Sequence, residues 1–232
     1  SARSGDRATG VVSRLPSPGS ALRYVLVTRR EIFVETATLV GLSDETYELL
    51  YKLGEGGFGA VYLARKHPLR KLVALKVLDH RVSAAAERRL WDEALVLASL
   101  RHPGIVAAED LVRLRGQLGL VTEYVEGEDL SACLADGLPA SALLEVIGQV
   151  AWALHAAAQR GVVHRDVKPQ NVRIGRHGNV KLLDFGIASA EGNDSDPAAS
   201  LIGTPRVMAP ERFLSQCGPA SDVFSLGCVL WL

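Results

Sequence analysis

The sequence predicts an α+β chain of two lobes, the first rich in strands and the second in helices. Two observations predict it. Between residues 47 and 125 short strand-like runs dominate, "YELLYKL", "AVYLARK", "LVALKVL" and "LGLVTEYV", with one helical stretch from about Ser83 to Leu100 between them. After residue 140 apolar residues recur at three and four in "SALLEVIGQVAWALHAAAQRG", and the run closes on Gly161, a residue suited to end a helix. Strands grouped first and helices second fit two lobes better than an alternating βα pattern. The expected organisation is an extension over 1–46 and one domain over 47–232. Within that domain, 47–125 forms the first lobe and the linker, and 126–232 the second lobe.

Composition narrows the function classes. The chain has 232 residues, 48% of them hydrophobic, enough for a sizeable core. Lys plus Arg and Asp plus Glu number 26 each, a balance that argues against a nucleic-acid arm or a polybasic membrane segment. The most apolar helical run carries Glu145, Gln149 and His155, no signal peptide opens the chain, and no membrane segment is expected. Cys133, Cys217 and Cys228 have neither zinc-site spacing nor a disulfide framework and fit a reducing compartment. A cytoplasmic location is expected, with a membrane tether through segments outside this chain left open. Six lysines against twenty arginines, in an alanine-rich chain, point to a GC-rich bacterial genome.

The extension opens with a Ser-, Gly-, Arg- and Pro-rich tail over 1–20, followed by "LRYVLVTRREIFVETATLV", whose β-branched residues suit one or two strands. Next comes "LGEGGFGAVYLA", with Gly54, Gly56 and Gly59 in a G-x-G-x-x-G pattern. That spacing also marks dinucleotide folds, where a helix follows. Here "AVYLAR" continues as strand, so the loop closes a β-hairpin, either as a plain turn or as a backbone cradle whose N–H groups suit phosphate oxygens. In the following strand Lys76 stands among Val73, Ala74, Leu75, Val77 and Leu78, and a strand-centre lysine needs solvent or a partner. Glu93 is the candidate partner. Leu90, Glu93, Leu97 and Leu100 share one helical face, so this carboxylate is turned inward; Glu87 is its rival.

The densest polar stretch is "VVHRDVKPQN", residues 162–171, too charged for a core and richer than a turn requires. With "GEGGFGAVY", "VALK", the helix glutamate, "DFG", "GTPRVMAPE" and "SDVFSLG" it forms an ordered set from Tyr47 to Leu232. That set resembles the eukaryotic-type serine/threonine protein kinases also found in bacteria. The resemblance implies a two-lobed kinase fold, with an antiparallel N-lobe sheet plus one helix and a mainly helical C-lobe. Because "SDVFSLGCVLWL" ends without a cap, that lobe is expected to lack its last helices.

The family's site residues carry over by motif. Asp166 would orient the acceptor hydroxyl and take its proton, and Lys168 would offset charge on the moving phosphoryl group. Asn171 and Asp184 would hold magnesium (manganese being an alternative), since oxygen ligands suit that hard cation. Lys76, fixed by Glu93, would hold the α- and β-phosphates of ATP. Gly54, Glu55, Gly56, Gly57, Phe58 and Gly59 would cover those phosphates. Leu53, Val61 and Ala74 would roof the adenine, with Thr122 as gatekeeper and the backbone of Glu123 and Val125 bonding the base. Thr204 matches the position that bonds the catalytic Asp and Lys in kinases acting on Ser or Thr. Arg165 resembles the arginine that receives an activation-loop phosphate, for which Ser195 and Ser200 are candidates. His164 and Phe185 are expected to pack as supports.

Three departures from the family pattern stand out. Arg173 replaces the Leu or Met beneath adenine, Val207 a Tyr, and Phe224 a Trp. Glu211 is expected to lack the arginine with which the family pairs it. The function so implied is transfer of the ATP γ-phosphate to Ser/Thr hydroxyls of proteins, with self-association allowing autophosphorylation. A nucleotide- or partner-binding module without catalysis, and a small-molecule phosphotransferase of related fold, are the alternatives.

Overall fold

The computed structural model describes residues 46–56, 59–79, 82–185, 205–214 and 216–231. The strands expected in 22–40, and Gly57, Phe58, Ser195, Ser200 and Thr204, lie outside the described residues.

The first lobe is an antiparallel sheet of β1 (Tyr47–Gly56), β2 (Gly59–Lys66), β3 (Lys71–Leu78), β4 (Ala108–Leu114) and β5 (Gln117–Glu123). Its spatial order is β1-β2-β3-β5-β4. The period-2 rule assigns its two faces. Val73, Leu75 and Val77 of β3 join Tyr47, Leu49, Tyr62, Ala64 and Val121 in one buried cluster, while Ala74 and Lys76 take the opposite, half-buried face. Gly59 is required by packing where β2 begins. Its φ is +156°, and a Cβ there would lie 2.1 Å from the carbonyl oxygen of Val77.

Helix α1 (Ala84–Ser99) lies close to the bounds expected from the sequence. Ser83 caps it by accepting from the Ala86 N–H at 3.3 Å, and Leu100 leaves it in extended conformation. Its inner face buries Leu90, Glu93, Ala94 and Leu97, and Leu100 just beyond is also buried.

The second lobe contains α2 (Leu130–Ala135), α3 (Ala140–Ala158) and α4 (Pro219–Trp231). It also contains a small antiparallel sheet that the helical period did not reveal: β6 (Gly127–Asp129), β7 (Val172–Gly175) and β8 (Val180–Leu182), in that order. Strands of three or four residues are too short to set a detectable period. Helix α3 ends three residues before Gly161, whose φ of 71° turns the chain so that the Val162 N–H reaches the Ala157 carbonyl at 3.0 Å. By length and mean hydropathy α3 could cross a membrane; in the fold it packs against α4 and β8 and buries Ala142, Leu143, Val146, Val150, Ala153, Leu154 and Ala157.

A second, larger cluster does not stop at the lobe boundary. Leu90, Leu97, Leu118 and Leu120 of the first lobe belong to the same buried group as Ile105, Leu130, Val146, Val150, Leu182, Phe185 and Val229. Burying each such side chain contributes about 1.5–3 kcal/mol relative to leaving it in water. A parallel bridge between Ile105 and Leu182 stitches the same seam, with the Val106 N–H on the Leu182 carbonyl at 3.0 Å and the Leu182 N–H on the Gly104 carbonyl at 2.8 Å. The strand so anchored, β8, runs directly into Asp184.

Candidate active site

Lys76 leaves the cleft-facing side of β3. Its Nζ lies 3.0 and 3.2 Å from the two carboxylate oxygens of Glu93 and 3.3 Å from Asp184 Oδ1. Burial alone would pull the ammonium pKa down; the Asp184 and Glu93 carboxylates together outweigh it and hold it above the ordinary lysine value. Burial pushes Glu93 upward, and Lys76 offsets only part of that. We read the pair as ionised, because the ammonium sits within hydrogen-bond reach of both Glu93 oxygens. Lys76 draws the Asp184 pKa below the ordinary carboxylate value, against burial. Glu87, the rival partner, instead pairs with Arg113 at 2.8 Å on the exposed side of α1.

The polar loop is held from below. Asp222, on the first turn of α4, accepts the backbone N–H of His164 at 2.7 Å and of Arg165 at 2.8 Å. Arg212 donates to the Arg165 carbonyl. Arg165 has φ of 69°, a conformation that costs free energy in a non-glycine residue and persists because bonds on both sides of it fix the backbone. His164 Nδ1 accepts from the Asp166 N–H at 3.2 Å, which leaves Nε2 as the donor to the Leu183 carbonyl at 2.8 Å. The ring is therefore neutral, and it packs against Phe185 with centroids 4.5 Å apart. Both residues are structural supports, as expected.

A pH dependence follows. Burial holds the His164 pKa below its ordinary 6.5, against the pull of Asp222, Asp166 and Asp184. The unfolded chain takes up this proton near pH 6.5 and the folded chain does not, so stability present above pH 6.5 falls as the pH drops. Asp222, raised by burial, contributes the opposite slope, but only nearer the carboxylate range. The unfolding free energy should fall more between pH 7.5 and 5.5 in the parent than in a His164→Gln variant, by about 1.4 kcal/mol per pH unit at the steepest, as read by denaturant unfolding at each pH. Parallel curves for the two proteins would contradict this assignment.

Above that support the reactive side chains converge. Asp166 Oδ2 bonds Lys168 Nζ at 2.6 Å and Asn171 Nδ2 at 3.0 Å, and Nδ2 also donates to the Asp166 carbonyl at 2.8 Å. Asp166 Oδ1 takes part in none of these bonds. With Nδ2 committed inward, Asn171 offers its Oδ1 as an oxygen ligand. Asp184, at φ of 47°, keeps 51% of its side-chain surface accessible in the cleft. One carboxylate plus one amide oxygen is the modest protein share usual for magnesium, which fills its shell with phosphate oxygens and water.

The structure also brings Val61, Ala74 and Thr122 together. In the β2–β3 register Val61 lies opposite Lys76, and in the β3–β5 register Ala74 lies opposite Thr122. These residues share the face that carries Lys76. Above Gly54 and Gly56 a Cβ would meet nothing within 4 Å, so this backbone is open to a ligand. Leu53 and Glu55 lie on the same outer end of β1, both exposed. Glu123 and Val125 lie on the linker; the Glu123 carboxylate turns away to accept from Lys181 at 2.6 Å and from the Ala107 N–H at 2.8 Å. Among the expected site residues, Gly57, Phe58 and Thr204 are outside the described ones.

Glu211 was expected to lack the family's arginine, and the partner it has is a hydroxyl. It is not left without a partner: the Ser221 hydroxyl donates to its Oε1 at 2.6 Å, the main reason its pKa lies below the ordinary glutamate value. Neither Ser221 nor Asp222 is assigned a role by the motifs of the sequence. The signal was present in "SD" at the first turn of an apolar helix, where short polar side chains reach backbone or neighbouring groups.

Residues 47–232 match the family of the protein kinase domain. Over 202 residues the chain is 38% identical to the serine/threonine-protein kinase Pkn1 of Myxococcus xanthus, a match covering 83% of this chain and 29% of that protein. It is 40% identical over 202 residues to the serine/threonine-protein kinase PknB of Mycolicibacterium smegmatis, covering 82% and 32%. The crystal structure of a mutant form of the Mycobacterium tuberculosis PknI kinase domain superposes with a TM-score of 0.65 at 31% identity, covering 84% of this chain and 76% of that one. The chain thus spans less than a third of the length of these two curated relatives.

Proposed function

The chain belongs to the protein kinase family, whose members use ATP and a divalent metal, and from that premise we propose that it transfers the γ-phosphoryl group of ATP to serine and threonine hydroxyls of proteins. The observation that carries this reading is the joining of Asp166, Lys168 and Asn171 in one bonded cluster and of Lys76, Glu93 and Asp184 in another. The serine/threonine kinase names of the relatives support the choice of acceptor.

In the step proposed, the acceptor oxygen bonds to the γ-phosphorus while the bond from that phosphorus to the β–γ bridging oxygen breaks, leaving ADP. Asp166 orients the acceptor hydroxyl through Oδ1 and receives its proton. Lys168, held against Asp166 Oδ2, faces the charge that builds on the phosphoryl oxygens. Lys76 positions the α- and β-phosphates, and Glu93 keeps it aimed. Asp184 and Asn171 Oδ1 would hold magnesium, which would supply neutralisation of the phosphate charge. The open backbone at Gly54 and Gly56 covers the phosphates; Gly57 and Phe58, of the same motif, lie outside the described residues. Leu53, Val61, Ala74 and Thr122 enclose the adenine. Thr204 and autophosphorylation between two associating copies belong to the same proposal.

The test is transfer of γ-labelled phosphate from ATP onto the protein itself and onto a basic protein substrate, with magnesium or with chelator. Magnesium-dependent label recovered as phosphoserine and phosphothreonine is the expected result. ATP binding without transfer would leave a nucleotide-binding module, and label confined to small-molecule acceptors would place the chain among phosphotransferases of another substrate class.

A further inference from the structure

Arg173 stands two residues after Asn171, where the family resemblance implies a Leu or Met as the floor beneath adenine. On β7 it alternates with Val172 and Ile174, which are buried in the core, so its half-buried side chain takes the opposite face of the small sheet. Its cross-strand neighbours are Asp129 on β6 and Lys181 on β8. Asp129 is committed elsewhere, its carboxylate capping α2 through the Ala132 N–H at 3.0 Å. Lys181 reaches the Glu123 carboxylate at 2.6 Å and the Ile105 carbonyl at 3.3 Å. Arg173 Nε donates to the Val125 carbonyl at 3.2 Å. Among the described residues no carboxylate forms an ion pair with Arg173, whereas both other cations of the site, Lys76 and Lys168, have one.

The two basic side chains of this face therefore grip the linker between the lobes at two successive points, one through a carboxylate and one through a backbone carbonyl. The Arg173 grip uses only Nε, the base of the fork, and leaves the guanidinium plane beside the linker. A planar, weakly hydrated cation that is half-buried without a counter-ion is well matched to an aromatic face. Resting on the nucleotide reading above, we propose that Arg173 is the base-recognition residue of this slot. Its Nε holds the Val125 carbonyl, fixing the linker, and its guanidinium forms the floor on which the adenine stacks, in place of an apolar side chain.

The test is calorimetric binding of adenosine and of magnesium ATP to the full chain, to Arg173→Met and to Arg173→Lys, with thermal melting run on each protein. Met keeps length but neither charge nor plane; Lys keeps charge without the plane. Both variants should bind adenosine and ATP more weakly, by the same factor for the two ligands, about 2- to 30-fold. Equal loss for both ligands places the contact at the base. Loss for ATP alone would move the contact to the phosphates and overturn the inference. Parent-like affinity in Arg173→Lys would make charge, not stacking, the interaction and would overturn it too, as would unchanged binding in folded Arg173→Met. A folded parent that binds no ATP would sink the kinase reading and this inference together.

Discussion

Replacing Asp166 by Asn should reduce phosphoryl transfer by about 10²- to 10⁴-fold, the range typical for loss of a positioned general base. The change is nearly isosteric. It keeps an oxygen for Lys168 Nζ, now at 2.6 Å from Oδ2, and the Asn171 amide retains its second bond to the Asp166 carbonyl at 2.8 Å. What disappears is the negative Oδ1 that takes no part in those bonds and can accept a hydroxyl proton. ATP affinity should hold, since the phosphate contacts belong to Lys76 and the glycine loop. Single-turnover transfer measured beside ATP binding separates the two quantities. A variant retaining more than about a tenth of parent activity would remove Asp166 from the role of base.

The largest effect on stability should come from Asp222→Ala. Its carboxylate accepts two backbone N–H groups, those of His164 and Arg165, at 2.7 and 2.8 Å, and is itself buried. Hydrogen bonds to a charged group contribute about 1.5–3 kcal/mol each, and both amides would be left without an acceptor. We expect a loss of about 3–5 kcal/mol, partly restored in Asp222→Asn, which keeps one acceptor oxygen. Denaturant unfolding of the three proteins measures it. Activity should fall in Asp222→Ala even at temperatures where it remains folded, because the strained turn at Arg165 loses one of its two restraints. A loss below about 1 kcal/mol would mean water replaces the carboxylate at both amides.

How far the sequence reaches depends on the kind of interaction. Lys76 and Glu93 were legible because each breaks an apolar period of known geometry, and a charge on a buried face demands a partner. Asp166, Lys168 and Asn171 were legible because their crowding in one short loop stands out and the order of the motifs around it resembles the kinase family's. The small sheet was not, since β6 and β8 have three residues each and carry no period of their own. Nor was the partner of Glu211. An exchange of arginine for the hydroxyl of Ser221 depends on how a loop approaches α4, which no local pattern encodes. Arg173 lies between these cases. Its oddity could be read from the chain, but its bond to Val125 required knowing that β7 lies beneath the linker.

The buried cluster shared by α1, β5, α3 and α4 bears on how such a chain could be inherited. A gene can exchange modules only where each piece carries an interior of its own. Cutting between Val125 and Glu126 would leave the smaller cluster whole but split the larger one, with Leu90, Leu97, Leu118 and Leu120 on one side and Ile174, Leu182 and Phe185 on the other. The seam visible along the sequence is therefore no seam in the packed molecule. The lobes are expected to have been passed on together, as a single heritable unit, however freely the segments around them were traded.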